Sequence, residues 1–109
     1  MALQSIPAQY VSATITASPA VYATVPSGSI YLVRNVHMCN RASTPVTVIV
    51  YYDAGFGTIL IANQRLLRPG EFEDIWLYLP LITATTISAY ASAASSVDLT
   101  ITGDTKSLS

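Results

Sequence analysis

The chain has 109 residues, of which 51% are hydrophobic and 10% are charged, and its formal net charge is −1. A chain of this length forms one domain, and its basic residues are scattered, whereas nucleic-acid binding requires a concentrated basic surface. The sequence has no stretch of about eighteen unbroken apolar residues, no signal-peptide pattern, and one cysteine, which excludes an intrachain disulfide. We expect a protein that is made in the cytoplasm and has neither nucleic acid nor membrane as a partner.

Frequent β-branched residues and tyrosines, with recurring alternation of period two, predict an all-β domain. We expect an extended N-terminal arm at residues 1–8 and a sandwich domain at 9–109. The predicted strands, in chain order, are 9–17, 20–25, 29–40, 46–53, 58–67, 72–79, 83–92 and 96–103. Pro69-Gly70 suits a type II turn, and the last two strands flank "AASS" as a hairpin.

Eight strands with short connections leave no room for crossover helices. The sheets are therefore expected to be antiparallel, and the fold an antiparallel β-sandwich of the jelly-roll-like kind. A small closed barrel is the alternative.

The third strand, "SIYLVRNVHMCN", raises the question of a catalytic or metal site because it carries an arginine, a histidine and a cysteine. Strict alternation would place Arg34 on an apolar face. A bulge at Arg34-Asn35 would remove this conflict, since it puts Val33 on the same side as Val36 and Met38 and turns Arg34 outward.

His37 and Cys39 share one face of that strand in either register. Two ligands do not make a metal site, and the chain has no other histidine or cysteine, so only carboxylates could complete one. A Cys/His nucleophile pair in mid-strand lacks an orienting group and a pocket, and no G-x-S-x-G elbow exists for a serine nucleophile. We therefore expect no enzyme activity, no catalytic residue, no metal and no cofactor.

The acidic residues Glu71, Glu73 and Asp74 follow a turn. Their spacing could serve a cation or paired-carboxylate chemistry. A solvated strand entrance, or ion pairs with Arg65 or Arg68, is the simpler interpretation.

Two segments are candidate partner contacts. In "FEDIWLYL", large apolar side chains occur on both faces, so Trp76 and Tyr78 are expected either in the core or at an interface. Leu3, Ile6 and Tyr10 are apolar residues in or beside the N-terminal arm, which is expected to become ordered on a neighbouring subunit. The low charge and the abundance of serine and threonine are typical of an assembly subunit, although a compact monomer could share them.

The runs "SGSIYLVRNVHMCNRASTPVTVIVYYDAG", "LLRPGEFEDIWLYL" and "ISAYASAASSVDLTITG" resemble small β-sandwich structural proteins of tailed bacteriophages. The likeness covers Ser27 to Gly103. Pro80 and the aromatic "IWLYL" depart from the polar strand that this group usually has there.

The resemblance implies a non-enzymatic capsid cement or decoration protein, located on the capsid surface of the virion and bound to the major capsid protein. It also implies a homo-oligomer, for which a trimer is the first expectation. The alternative is a tail-fibre or baseplate module that binds a receptor or carbohydrate.

Overall fold

The computed structural model describes residues 4–107, with side chains from residue 7 onward. It contains eight β-strands: β1 (Gln4–Thr14), β2 (Ala20–Thr24), β3 (Ser29–Asn40), β4 (Val46–Asp53), β5 (Thr58–Leu67), β6 (Phe72–Leu81), β7 (Thr86–Ala91) and β8 (Val97–Ser107). Residues 4–107 include no helix that is long and apolar enough to cross a membrane. The all-β prediction is confirmed.

The strands form two antiparallel sheets of four. The first sheet has the order β1-β8-β3-β6 and the second the order β2-β7-β4-β5. This confirms the predicted sandwich, and the strand order is jelly-roll-like. Each sheet ends in two edge strands, which distinguishes the fold from the closed barrel considered as an alternative.

The predicted hairpin between the last two strands is wrong. β7 pairs with β2 and β4, whereas β8 pairs with β1 and β3, so the "AASS" connection crosses from one sheet to the other. A hairpin signal is local in the sequence, while the partners of a strand depend on what buries its side chains. Ile87, Ala89 and Leu99 are all buried between the two sheets, which places their strands on opposite sides of the core.

The segment predicted as an N-terminal arm is described from Gln4 onward, and there it is the beginning of β1. Its backbone pairs with β8 from Gln4↔Ser107 to Ala8↔Gly103. Strand β1 thus begins five residues before the predicted start at Gln9. Leu3 lies outside the described residues, and Ile6 is described for its backbone alone.

The core lies between the sheets and contains buried side chains from every strand except β2. Partly buried side chains of β2 and of the central part of β6 pack against it. Fully burying an aliphatic side chain contributes about 1.5–3 kcal/mol, so this cluster accounts for much of the stability of the fold. Its members are Val11, Ile15, Val25, Val33, Val36, Met38, Val46, Val48, Val50, Ala62, Leu67, Leu81, Ile87, Ala89, Ala91, Val97, Leu99 and Ile101.

The predicted bulge in β3 is present. The register of β3 with both β6 and β8 shifts between Val33 and Asn35. Val33, Val36 and Met38 are all fully buried, while Arg34 is exposed. The bulge therefore lets one strand keep a continuous apolar face although an arginine interrupts its sequence.

Two positions in the fold require glycine, one because of its backbone conformation and the other because of a close neighbour. Gly70 has φ +75° in the turn that the Glu71 N–H closes on the Arg68 carbonyl, as the predicted type II turn requires. At Gly103 a Cβ atom would lie 1.9 Å from the Leu32 carbonyl oxygen, so no side chain fits where β8 passes the bulge.

Candidate functional site

The polar residues of β3 form structural contacts on the outer face of the first sheet. His37 Nδ1 lies 2.7 Å from a carboxylate oxygen of Asp74, which also accepts a bond from the Asn35 amide at 3.4 Å. The hydrogen bond from His37 holds the pKa of Asp74 below its ordinary value, and the Asn35 amide acts in the same direction. Cys39 is half-buried on the same face as His37, as the alternation predicts.

The acidic residues near the start of β6 are directed to three different partners. Glu73 pairs with Arg65 at 3.1 Å, and the Glu71 carboxylate accepts the backbone N–H of Arg68 at 3.0 Å. Asp74 is bound to His37. The predicted ion pair with Arg65 is thus present at Glu73, whereas Glu71 bonds the backbone of Arg68 and forms no ion pair with its side chain. Within residues 4–107 no three histidine, cysteine, aspartate or glutamate side chains converge to hold a metal ion.

The most unusual feature of the surface is the outer side of β6. Phe72, Trp76 and Tyr78 point away from the core and are 64%, 75% and 63% exposed; we call them the aromatic face. Large apolar side chains that stay in solvent on a soluble domain mark interaction surfaces. The sequence left open whether Trp76 and Tyr78 lie in the core or at the surface, and they lie at the surface.

Polar groups surround the aromatic face at its β8 side. The Arg34 guanidinium carbon lies 5.4 Å from the centre of the Tyr78 ring, within the range of a cation–π contact. Arg34 also approaches the Asp104 carboxylate at 3.7 Å. An open groove beside these groups is lined by Pro7, Ala8, Gln9, Arg34, Trp76, Leu77, Thr102, Gly103 and Asp104.

Tyr10, the third aromatic candidate, is engaged within the subunit. Its ring stacks on Tyr31 with centroids 4.0 Å apart, and its hydroxyl donates to the Asp104 carbonyl at 2.5 Å. Burial is the main cause that raises the pKa of this phenol. Tyr10 thus anchors β1 to β3 and β8. Of the contact residues predicted from the sequence, Trp76 and Tyr78 lie together on one exposed surface.

Sequence reasoning missed several exposed apolar side chains. Phe56, in the "AGFG" connection between β4 and β5, is 93% exposed, and Phe72 belongs to the aromatic face. A large aromatic between two glycines in a turn has little to pack against, and this signal could have identified Phe56. The exposure of Ile59, Leu60 and Leu66 follows from the edge position of β5, which the sequence does not reveal.

No family model and no curated protein matches this chain. Solved structures do share its fold. A protein of Bacillus endospore appendages, which form a family of disulfide-linked pili, is similar over 98% of this chain and 89% of that one, with a TM-score of 0.59 at 17% identity.

Two further structures are similar over nearly all of this chain. A protein of the T13 IBDV viral particle has a TM-score of 0.62 at 10% identity, and the match covers 98% of this chain and 31% of that one. The Drosophila NLP core has a TM-score of 0.52 at 14% identity, over 94% and 96% of the two chains. At identities this low, the structural similarity shows a shared fold alone.

Proposed function

We propose that the protein is a non-enzymatic structural protein of a phage virion that binds the outer capsid surface as a cement or decoration protein. The observation that carries the proposal is the aromatic face on β6. A surface of three large exposed aromatic rings is suited to a protein partner, because aromatic side chains supply much of the binding energy at interfaces. Its partner would be the major capsid protein.

The distribution of the charged groups supports a binding role over a catalytic one. The only histidine is bonded to Asp74 on the sheet surface, and Glu73 is paired with Arg65. A general base or nucleophile needs a reacting group within hydrogen-bond reach in a site that excludes water. His37 instead makes its short contact with a carboxylate in solvent, where it fixes β3 to β6.

The fold neighbours add support by analogy. The Bacillus protein belongs to appendages that are pili, and the IBDV protein, of which 31% is matched, belongs to a virus particle, so similar folds occur in proteins of two assemblies. Fold analogy carries no residue-level information about the contact. We therefore assign the contact to the aromatic face from its exposure, and leave Leu3 and Ile6 as further proposed contacts from the sequence.

The mechanism of stabilisation would be mass action. A protein that binds the assembled shell and not its dissociated parts stabilises the shell by RT ln(1 + [L]/Kd). Linking several copies in a homo-oligomer, which the sequence suggests is a trimer, would raise the effective concentration of each further contact.

The proposal is tested by co-sedimentation of the purified protein with emptied heads and, separately, with isolated tails of the parent phage. We expect saturable binding to heads. Trp76→Ala combined with Tyr78→Ala should lower the affinity by about thirtyfold or more, since hot-spot aromatics contribute about 2 kcal/mol or more. Phe56→Ala, at an even more exposed aromatic outside the aromatic face, is the matched control and should bind like the wild type. Undiminished head binding by the double variant would contradict the assignment.

A tail-fibre or baseplate module for carbohydrate is the second candidate, and the groove beside Trp76 favours it. An exposed indole next to Arg34, Gln9 and Asp104 offers a stacking surface with hydrogen-bonding groups at its border. Trp76 is the only tryptophan, so its fluorescence reports binding there directly. Quenching by host glycans, together with binding to tails and not to heads, would establish this candidate over the first.

A further inference from the structure

The groove beside Trp76 lies where the pairing of the first sheet is irregular. The register of β1 with β8 shifts just after Gln9, and that of β3 with β8 shifts just before Asn35. Both bulges adjoin the same part of β8, because Gln9 and Asn35 are both paired with Thr102. Bulges bend strands and redirect side chains, and they are frequent next to active sites. The groove is therefore a product of the backbone of three strands.

The floor of the groove holds little side-chain volume. Ala8 and Gly103, which pair with each other across β1 and β8, both line it and have at most a methyl group to fill it. Trp76 borders the same space with an indole that is mostly in solvent. The groove has a volume of about 710 Å³, within the range of about 300–1,000 Å³ that small-molecule sites occupy.

Two aspartate–arginine pairs on the outer face of the first sheet differ in how closely they are joined. Asp98, near the beginning of β8, lies 2.7 Å from Arg41 and also accepts a hydrogen bond from Thr14. Asp104, farther along β8, lies 3.7 Å from Arg34, and both of these residues line the groove. Because hydrogen bonds between nitrogen and oxygen span about 2.7–3.2 Å, the first pair is closed and the second is open.

Each member of the open pair is held in place by a tyrosine. The Arg34 guanidinium carbon lies 5.4 Å from the centre of the Tyr78 ring, and the Tyr10 hydroxyl donates to the backbone carbonyl of Asp104. The guanidinium and the carboxylate are thus positioned beside the groove with hydrogen-bonding capacity to spare. A hydroxyl both donates and accepts, so one ligand hydroxyl can lie between them, accepting from the guanidinium and donating to the carboxylate.

These groups together fit a sugar ring that carries no charge. A pyranose has an apolar C–H face that can pack on an indole, and hydroxyls around its rim that need donors and acceptors. The Gln9 amide and the Thr102 hydroxyl at the groove supply both. The charges of Arg34 and Asp104 offset each other, so a carboxylate or phosphate in the groove would lose hydration without gaining a free opposite charge.

We infer that the groove binds a neutral pyranose, whose ring stacks on Trp76 and one of whose hydroxyls bridges Arg34 and Asp104. This assignment rests on the second candidate function, in which carbohydrate binds beside Trp76. It adds the class of sugar and the two residues that select it. Binding of heads through the aromatic face does not enter into it.

The fluorescence of Trp76 tests the preference for a neutral sugar. The probes are the methyl glycosides of glucose and galactose and those of glucuronic and galacturonic acid, which carry a carboxylate in place of the C6 hydroxymethyl group. We expect a saturable change with at least one neutral glycoside at millimolar concentrations, and binding of its acidic counterpart that is weaker by about tenfold or more. Equal or tighter binding of the acidic glycoside, or no response to any of the four, would overturn the inference.

Asp104→Asn tests the part played by the open pair. The substitution keeps the shape of the side chain but leaves Arg34 without its counter-charge, so the preference should reverse and the acidic glycoside should bind more tightly than the neutral one. Asp98→Asn, on the same strand but in the closed pair outside the groove, is the matched control and should keep the wild-type preference. Circular dichroism reports whether both variants are folded. An unchanged preference in Asp104→Asn, or the same reversal in Asp98→Asn, would overturn the inference.

Failure of this inference can be told apart from failure of the proposed functions. If host glycans change the fluorescence of Trp76 but Asp104→Asn leaves the preference between neutral and acidic glycosides unchanged, the carbohydrate candidate stands and the inference is wrong. If neither host glycans nor any of the four glycosides gives a response, both are wrong. Head binding is decided separately, by co-sedimentation.

Discussion

Strands β4, "VTVIVYYD", and β6, "FEDIWLYLPL", are both rich in apolar and aromatic residues, but their surroundings differ. β4 lies between β5 and β7, and Val46, Val48 and Val50 are almost completely buried. β6 has β3 as its neighbour on one side, and its two largest side chains, Trp76 and Tyr78, are in solvent. Apolar composition therefore indicates a strand but does not tell how many neighbours cover it.

The two strands differ in which face carries their largest side chains, the face toward the core or the face toward solvent. In β4 the β-branched valines point inward, where they fill the core between the sheets. In β6 the inward positions hold Ile75 and Leu77 near the border of the core, and the aromatic rings point outward. A strand that is apolar on its solvent side is the one from which an interface is expected.

The first test places an aspartate at a buried position of β4 and at an exposed position of β6, and the largest effect is expected on β4. Val48→Asp buries a carboxylate without a partner in the core, which should lower the free energy of unfolding by about 4–5 kcal/mol or more. Because domains of this kind are stable by about 5–15 kcal/mol, the variant should be largely unfolded or insoluble. Urea denaturation followed by circular dichroism measures the effect.

Trp76→Asp is the matched variant on β6. In the single chain its carboxylate lies in solvent, so on dilute protein the loss of unfolding free energy should be below about 1 kcal/mol. A loss at position 76 as large as that at position 48 would break the distinction between the two strands. It would mean that the indole is part of the subunit core.

An intermediate effect is expected at Gly103, where two covered strands approach each other. Gly103→Ala would drive a methyl group into the Leu32 carbonyl oxygen, and the required backbone shift should cost about 2–3 kcal/mol. Gly57→Ala is the control: it has open space around it, and its positive φ should cost about 1 kcal/mol. Thermal unfolding of the two variants compares them, and equal losses would show that β8 can move away from β3.

Much of the fold was accessible from the sequence. Period-two alternation and turn residues placed all eight strands, and the conflict of Arg34 with an apolar face predicted the bulge at its observed position. The pairing of β7 and β8 was not accessible, because "AASS" fits a hairpin and a crossing between sheets equally well. The beginning of β1 was missed since "LQSIPAQY" contains a proline, which a strand tolerates at an edge.

The candidate site was accessible in part. The sequence singled out Trp76 and Tyr78, but alternation alone assigns residues to two faces without telling which face meets the core. The bulge in β3 and the neighbours of β6 decide that, and both depend on contacts far apart in the chain. His37 and Asp74 could not be paired in advance for the same reason, as they are 37 residues apart.

The smallest effect concerns this pair, which connects β3 to the strand at the edge. Since accepting a hydrogen bond from His37 lowers the pKa of Asp74 from its ordinary 3.8, the ionised carboxylate stabilises the folded state. That contribution is fully present above the unfolded pKa and is lost as the pH falls through the lower pKa of the folded protein. Asp74→Asn cannot titrate, so the difference in urea midpoint between wild type and variant should be larger at about pH 6 than at about pH 2. His37→Ala, which removes the donor, should flatten the wild-type pH profile in the same way. Parallel profiles for all three proteins would mean that the short contact leaves the stability unchanged, and that backbone pairing alone holds β6 to β3.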